Sequence, residues 1–498
     1  MSGRPGPGRW WARDLAEPER RERTIAAVRR TPVPLLLTAL LSAALASGAP
    51  PSAAAAKGPT VAAELTRLET TGELSPATAT GYRDAYTAAR RTLKKLTGSR
   101  RAQLAAVVSH TDAAAAGGLF QRSRLPALFL TLQRNRARWA ASPLPYPGQR
   151  TTFSGSQIVW QFYPGQGWQI QWLGTFGKAN ALWRVKTRDE DLRRILDEAL
   201  ALATQRAGGI AFEYLFTFDG GRPPWVSGLA QGTALSALSR GAVRLKDPKY
   251  FDAARAALGI FKTAPPAGVR VTTAAGAHYL QYSYARNLHV VNGFTQALNG
   301  LRDFSVLAND PEGRTLFAQG EAQLRAELPA FDTGAWSLYA KPGGESDLGY
   351  HKLLRDFLRA LCDRLTEDRG RDVAGTPDPA LYCDSADRFT ADLTTRPVVT
   401  VSPLAKALRA KRAAAVRFAV DKISTVTVTV LRRRAVVLTR TARLGRGSHR
   451  IGIRPAKAGP LLVRVRAVDL AGNAGAAEAE IPVRAAAHED RADDVAAD

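Results

Sequence analysis

Apolar residues recur at helical spacing through the early part of the chain, most clearly as Leu125, Leu128, Phe129 and Leu132, and this pattern predicts a helical region over residues 60–145. Pro143, Pro145 and Pro147 interrupt it, because proline fixes its own φ and supplies no amide hydrogen. Beyond them, aromatic and glycine-rich stretches (FYPGQGWQIQWLG, FEYLFTFDGGRPPW) alternate with further helix-period segments. These include Phe294, Leu298 and Leu301, then Phe317, Leu324 and Leu328, then Leu354, Phe357, Leu358 and Leu361. Helix, loop, helix is the recurring unit. Helices joined by loops rich in Trp, Tyr and Gly predict a mainly α domain of the α/α toroid type over 150–395, with a cleft formed by loops at one rim.

Near Arg396-Pro397 the period falls from that of a helix to two. The runs VRFAV, STVTVTVLR, AVVLTR, HRIGIRP, LLVRVRAVDLAGN and AEAEIPV are separated by turn signals such as Leu444-Gly445-Arg446-Gly447 and Ala471-Gly472-Asn473. They predict an all-β sandwich with its own core over 397–484, and VRVRAVDLAGN resembles a late strand of bacterial Ig-like modules. An acidic, alanine-rich stretch, 485–498, follows and predicts a disordered tail.

Composition adds a compartment and a class of partner. Residues 1–30 are arginine-rich, Val33 to Ala46 is nearly all apolar, and Ser47-Gly48-Ala49-Pro50 follows, the pattern of an export signal with a leader reaching residue 57. The apolar core is about 15 residues, short of the roughly 20 of a spanning helix, so a cleaved signal is favoured over an uncleaved membrane anchor. The expected location is secreted or cell envelope. Cys362 and Cys383, the two cysteines, then predict one disulfide closing a short loop. His110, His278, His289, His351, His449 and His488 show no metal-ligand spacing, so no metal is expected. A net charge of +26 points to an acidic partner, or to the coding bias of a GC-rich genome. About half of that charge lies in 397–484, where alternating arginines either solvate an outer face or hold an acidic glycan. No nucleic-acid-binding motif is present, which, with export, argues against that partner.

The chemistry-bearing motifs occur in a fixed order. PWVSGLAQG, containing Trp225 and Gln231, opens a helix. Gln281-Tyr282 follows, then Asn292-Gly293-Phe294, then Asp332-Thr333-Gly334 ahead of Tyr339, then Tyr350-His351 at another helix start. That order resembles the C-terminal domain of the D-glucuronyl C5-epimerases. The resemblance implies proton removal from C5 of a uronate residue and reprotonation on the opposite face, without a cofactor, on an acidic uronate-containing polysaccharide. It implies catalytic roles for Tyr282, Tyr339 and Tyr350 and substrate contacts by Trp225, Gln231, Gln281, Arg286, Asn292, Lys341 and His351. Two positions depart from the family pattern: Gln281 stands where an acidic residue often precedes the first tyrosine, and Pro342 where an arginine follows the second. Arg286 and Lys341 are the candidate cations for the substrate carboxylate, and Glu213, Glu345 and Asp347 are the acidic groups that could replace a tyrosine as base. A polysaccharide lyase and an inactive glycan-binding surface protein are the alternatives. Oligomeric state is left open by the sequence.

Overall fold

The computed structural model describes residues 58–403 and 406–486. The export signal and leader expected at 1–57, and all but the first two residues of the acidic tail, lie outside the described residues. No helix among the described residues is long and apolar enough to cross a membrane. The chain forms a helical region followed by β-sheets, and divides into two compact units. Among the described residues, the first comprises those up to 271 with 279–286 and 300–318; the second comprises 272–278, 287–299 and those from 319 onward. Two helices, Val291–Leu307 and Pro311–Glu327, contribute residues to both units.

In the first unit, helices Val61–Thr70, Pro76–Lys95, Gly98–Ala116 and Leu125–Ala141 pack together, and Leu125, Leu128, Phe129 and Leu132 are all buried. Their starts are encoded locally: Thr60 caps the first by accepting from the Ala63 amide, and Ser75 caps the second ahead of Pro76. A three-stranded antiparallel sheet (Arg150–Thr151, Trp160–Tyr163, Gly167–Ile170) supplies Trp160 and Trp168 to an aromatic core that also holds Trp139, Trp172, Phe176 and Phe212. Helix Gly228–Leu245 packs between Trp172–Trp183 and Lys249–Ala257. It is buried along nearly its whole length, which its glycine, alanine and serine content permits.

In the second unit, helix Leu348–Gly370 buries Leu354, Phe357, Leu358 and Leu361, and the Cys362–Cys383 disulfide joins it to helix Ala380–Asp392. Nine strands follow among the described residues: β1 (Val399–Val401), β2 (Leu408–Arg409), β3 (Ala414–Val420), β4 (Ser424–Arg432), β5 (Ala435–Leu444), β6 (Gly447–Ile453), β7 (Leu461–Asp469), β8 (Ala474–Ile481) and β9 (Val483–Arg484). They form two antiparallel sheets, β1-β3-β6 and β5-β4-β7-β8, while β2 pairs with β9. Alternate residues Val416, Phe418 and Val420 of one sheet and Val426, Val428, Val430, Val463 and Val465 of the other enter a single apolar core.

Candidate functional site

In the first unit the motif PWVSGLAQG holds the Tyr282 segment through backbone contacts. Ser227 caps helix Gly228–Leu245, and the Gly228 amide donates to the Leu280 carbonyl at 3.1 Å. A Cβ on Gly228 would lie 2.5 Å from that oxygen, so only glycine lets the two backbones meet. On the other side of Tyr282, the Ser283 amide donates to the Val226 carbonyl, and the Val226 amide to Ser283 Oγ. Tyr282 thereby lies between two anchored residues, Leu280 and Ser283. Its hydroxyl accepts from Gln281 Nε2 at 2.7 Å, and Gln281 Oε1, buried, has no hydrogen-bond partner among the described residues.

The walls around Tyr282 are aromatic. Residues 214–225 form a hairpin, with Tyr214 and Trp225 exchanging backbone hydrogen bonds and Phe218 and Gly221 doing the same nearer the tip. Asp219 and Gly220 both take positive φ there, the two-residue turn that suits the twist of a hairpin. Trp225 stacks on Tyr214 with centroids 4.2 Å apart and donates its indole hydrogen to the Phe216 carbonyl. Tyr282 lies 5.9 Å from Trp225, 6.0 Å from Phe218 and 5.5 Å from Tyr284 by ring centroids. The Tyr284 hydroxyl has no hydrogen-bond partner among the described residues, and burial raises its pKa. The sequence reading places FEYLFTFDGGRPPW among the cleft-forming loops and Trp225 among the substrate contacts; the hairpin pairing of 214–225 and its packing on Tyr282 come from the structure. Gln231 is fully buried and exchanges hydrogen bonds with the Phe212 backbone, so it ties helix to strand end. Arg286 is exposed.

In the second unit, Tyr339 and Tyr350 are brought together, their ring centroids 4.5 Å apart. Tyr350 sits in the first turn of helix Leu348–Gly370, where its amide donates to the capping Asp347 carboxylate at 2.8 Å. The Tyr339 carbonyl accepts from the Val291 amide, and the strand pair His289–Val290 with Ala340–Lys341 continues that contact. Asn292, one residue into its helix, is buried, and its Oδ1 has no hydrogen-bond partner among the described residues. Lys341 is exposed, with its ammonium 5.4 Å from the Phe331 ring. His351 is fully buried against Trp336, its Nδ1 accepting from the Ser337 amide and its Nε2 donating to the Phe389 carbonyl. Burial holds its pKa down at about 4, so the ring is neutral at pH 7. Both nitrogens are thus occupied by protein partners.

The three acidic groups have structural partners of their own. Glu213, buried, accepts from Arg124 at 2.7 and 3.1 Å and from Arg206 at 2.8 Å. Glu345 accepts from the Ile423 and Arg446 amides, each at 2.7 Å, and Asp347 is a helix cap. One cluster escaped the sequence reading because its members are spread over 278–327. His278, His289 and Glu327 hold three ligand-type atoms within 4.8 Å of one another. The two imidazoles stack at 4.0 Å with planes 21° apart, which sets their lone pairs side by side, whereas one metal ion would have to lie near both ring planes. Burial would raise the Glu327 pKa, but hydrogen bonds from His278, His289 and Gln323 outweigh it and hold it at about 2. The cluster reads as one carboxylate bridging two rings.

Residues 206–374 match the family model of the D-glucuronyl C5-epimerase C-terminus. A D-glucuronyl C5-epimerase from Caenorhabditis elegans is 33% identical over 130 residues, which are 24% of this chain and 21% of that protein, so the chain spans about a fifth of the length of this relative. Among solved structures, an unsaturated glucuronyl hydrolase from Bacillus sp. GL1 covers 44% of this chain and 60% of its own at 14% identity and a TM-score of 0.30. An unsaturated glucuronyl hydrolase specific for heparin covers 49% of this chain and 79% of its own, at 13% identity and the same score of 0.30. Scores of that size do not establish a common topology. The matched stretch contains every tyrosine and every polar side chain singled out above as a candidate for catalysis or substrate binding. Over residues 206–374, this chain is similar to the D-glucuronyl C5-epimerase C-terminal family.

Proposed function

We propose that this protein is a uronate C5-epimerase acting on an acidic polysaccharide. The observation that carries the proposal is the family match over 206–374, within which Tyr282 lies between the anchored Leu280 and Ser283 and Tyr339 and Tyr350 are paired. A C5 proton lies α to the uronate carboxylate, so its removal leaves a carbanion delocalised into that carboxylate. A phenolate on one face takes this proton, and a phenol on the other face returns one, inverting C5 with no net change in atoms. Arg286 and Lys341 are the cations proposed to neutralise the carboxylate as it gains charge. No cofactor enters this scheme. Export through the segment before residue 58, cleaved or retained as an anchor, would bring the protein to such a polymer in the envelope or outside the cell. An α/α toroid is the proposed frame for 150–395, and an Ig-like sandwich for 397–484.

One observation favours a second reading, an inactive glycan-binding protein: Gln281 brings an amide, which cannot serve as a base, against the Tyr282 hydroxyl. Incubation with glucuronate polymers in deuterated water separates the readings. Epimerisation deposits deuterium at C5 with inversion, a lyase yields an ultraviolet-absorbing unsaturated uronate by expelling the O4 substituent, and absence of exchange on every glucuronate polymer tried rejects the enzyme. In that last case, exchange gained by Gln281→Glu would mark an epimerase that has lost its carboxylate.

A further inference from the structure

The β-sheets of the second unit leave one side open. β5 and β6 are the outer strands of their sheets, each paired on one edge only among the described residues. Between them, and the β3 and β4 strands behind, lies a cleft of about 740 Å³. Register decides what faces it. Arg440 pairs with the buried Val428 and Ala442 with the buried Val426, so both side chains leave β5 on the core-facing side. His449 pairs with the buried Phe418 and Ile451 with the buried Val416, so both leave β6 toward the same core. A further opening of about 280 Å³ is lined by Leu438 of β5, Ile453 of β6, and the flanking Arg432 and Arg454. The groove therefore follows the two strands, with an apolar floor and guanidinium groups on its walls.

Its charge has one sign. Residues 422–468 contain 12 Lys and Arg and no Asp or Glu. Arg440 has no carboxylate partner among the described residues, and an arginine aimed at the core side of an edge strand does not serve to solvate an outer face. Such a wall suits a linear ligand that carries a carboxylate at regular intervals and presents apolar ring faces between them, since a guanidinium matches a carboxylate bidentately. We infer that the β5–β6 groove binds a strand of uronate polymer, a holding site separate from the tyrosines. This rests on the uronate-polymer reading above and adds to it a second subsite and its residues.

The test is equilibrium titration of the full chain with a glucuronate-containing polymer and with the same polymer after reduction of its carboxylates to alcohols. Binding should weaken with salt and should be lost on carboxylate reduction. Arg440→Gln should weaken it about tenfold, while Arg433→Gln, in the exposed β4–β5 turn, should change it less than about twofold. Ala442→Trp leaves the charge unaltered and fills the cleft, so it should weaken binding as much as Arg440→Gln. Equal losses from Arg433→Gln and Arg440→Gln, or undiminished binding by an Ala442→Trp protein of parental melting temperature, would overturn the inference. Undiminished binding after carboxylate reduction would do the same, as would occupation of the groove by a second copy of the chain, read as dimerisation that Ala442→Trp abolishes. Because the readout is binding, Arg440-dependent affinity without C5 exchange would reject the epimerase reading alone. Exchange with Arg440-independent affinity would reject the groove alone.

Discussion

A tyrosine can be core or catalyst, and substitution by phenylalanine separates the two because it keeps the ring and removes only the ionisable hydroxyl. Loss of one proton-transfer group lowers a rate by about 10²–10⁴, whereas loss of one hydroxyl hydrogen bond costs roughly 1 kcal/mol of stability. Tyr282→Phe and Tyr350→Phe should each abolish most deuterium incorporation at C5 on a substrate the parent exchanges, with melting nearly unchanged. Near-parental incorporation in both would remove them from the mechanism; Glu213, bound by two arginines, would be a poor replacement. Gly228 is the complementary case, since it touches no candidate catalytic atom. Gly228→Ala puts a methyl 2.5 Å from the Leu280 oxygen and must shift either the helix start or the 280–283 segment, at a cost of about 1–3 kcal/mol. Lowered melting with reduced exchange is the expected pair of effects. Full activity at parental stability would show that the clamp tolerates movement.

At the scale of the element, helix Leu348–Gly370 shows what sequence periodicity can and cannot reveal. Its apolar face was readable from Leu354, Phe357, Leu358 and Leu361, and its start from Tyr350-His351. The different surroundings of those two neighbours were not, because Trp336, Ser337 and Phe389 reach His351 from other parts of the chain. The same reason hid the packing of the aromatic hairpin on Tyr282 and the His278–His289–Glu327 cluster, whose members become neighbours only by folding. The burial of His351 has a pH consequence. Its folded pKa of about 4 lies below the unfolded 6.5, so the unfolded chain binds more protons between these values and stability falls as pH drops from 6.5 through 4. The fall from this residue is about 3 kcal/mol, and His278, also lowered by burial, acts in the same direction. Denaturant unfolding across this range should show the slope, and His351→Gln should flatten it at a lower overall stability; an unaltered slope would place the titration elsewhere. The same helix carries Cys362. Cys362→Ser or Cys383→Ser should lower stability by about 2–4 kcal/mol, read by melting, and non-reduced peptide mapping should recover the two cysteines linked. Two free thiols after purification from an oxidising compartment would contradict the pairing.

At the scale of the whole chain, the change of period at residue 397 was legible because helices and strands bury apolar residues at different spacings. How the strands are attached was not. The compact unit that contains them begins before the change and includes the helices Leu348–Gly370 and Ala380–Asp392. Lys422, fully buried, donates to the Asp392 and Thr395 carbonyls at 3.1 and 2.7 Å, pairs with Asp469 at 3.3 Å, and stands 5.6 Å from the Trp336 ring. Asn473 donates to the Leu393 carbonyl, and Glu345 binds two amides of the strand region. In a sequence Lys422 looks like any surface lysine, since only its distant partners give a buried ammonium a reason to be there. Lys422→Met preserves much of the side-chain volume and leaves the Asp469 carboxylate without its cation. Such a loss costs about 3–5 kcal/mol, so this one substitution should lower the melting temperature of the second unit markedly. Removing residues 397–486 takes away both charges of the pair together, so Asp469 is not left without its cation. The truncated protein pays instead by exposing Trp336, now fully buried, and by freeing Glu345 and the end of helix Ala380–Asp392. It should therefore fold and melt cooperatively, but at a lower temperature than the full chain. Melting at the parental temperature in both Lys422→Met and the truncated protein would mean that the strands are an appended module whose contacts carry no stability.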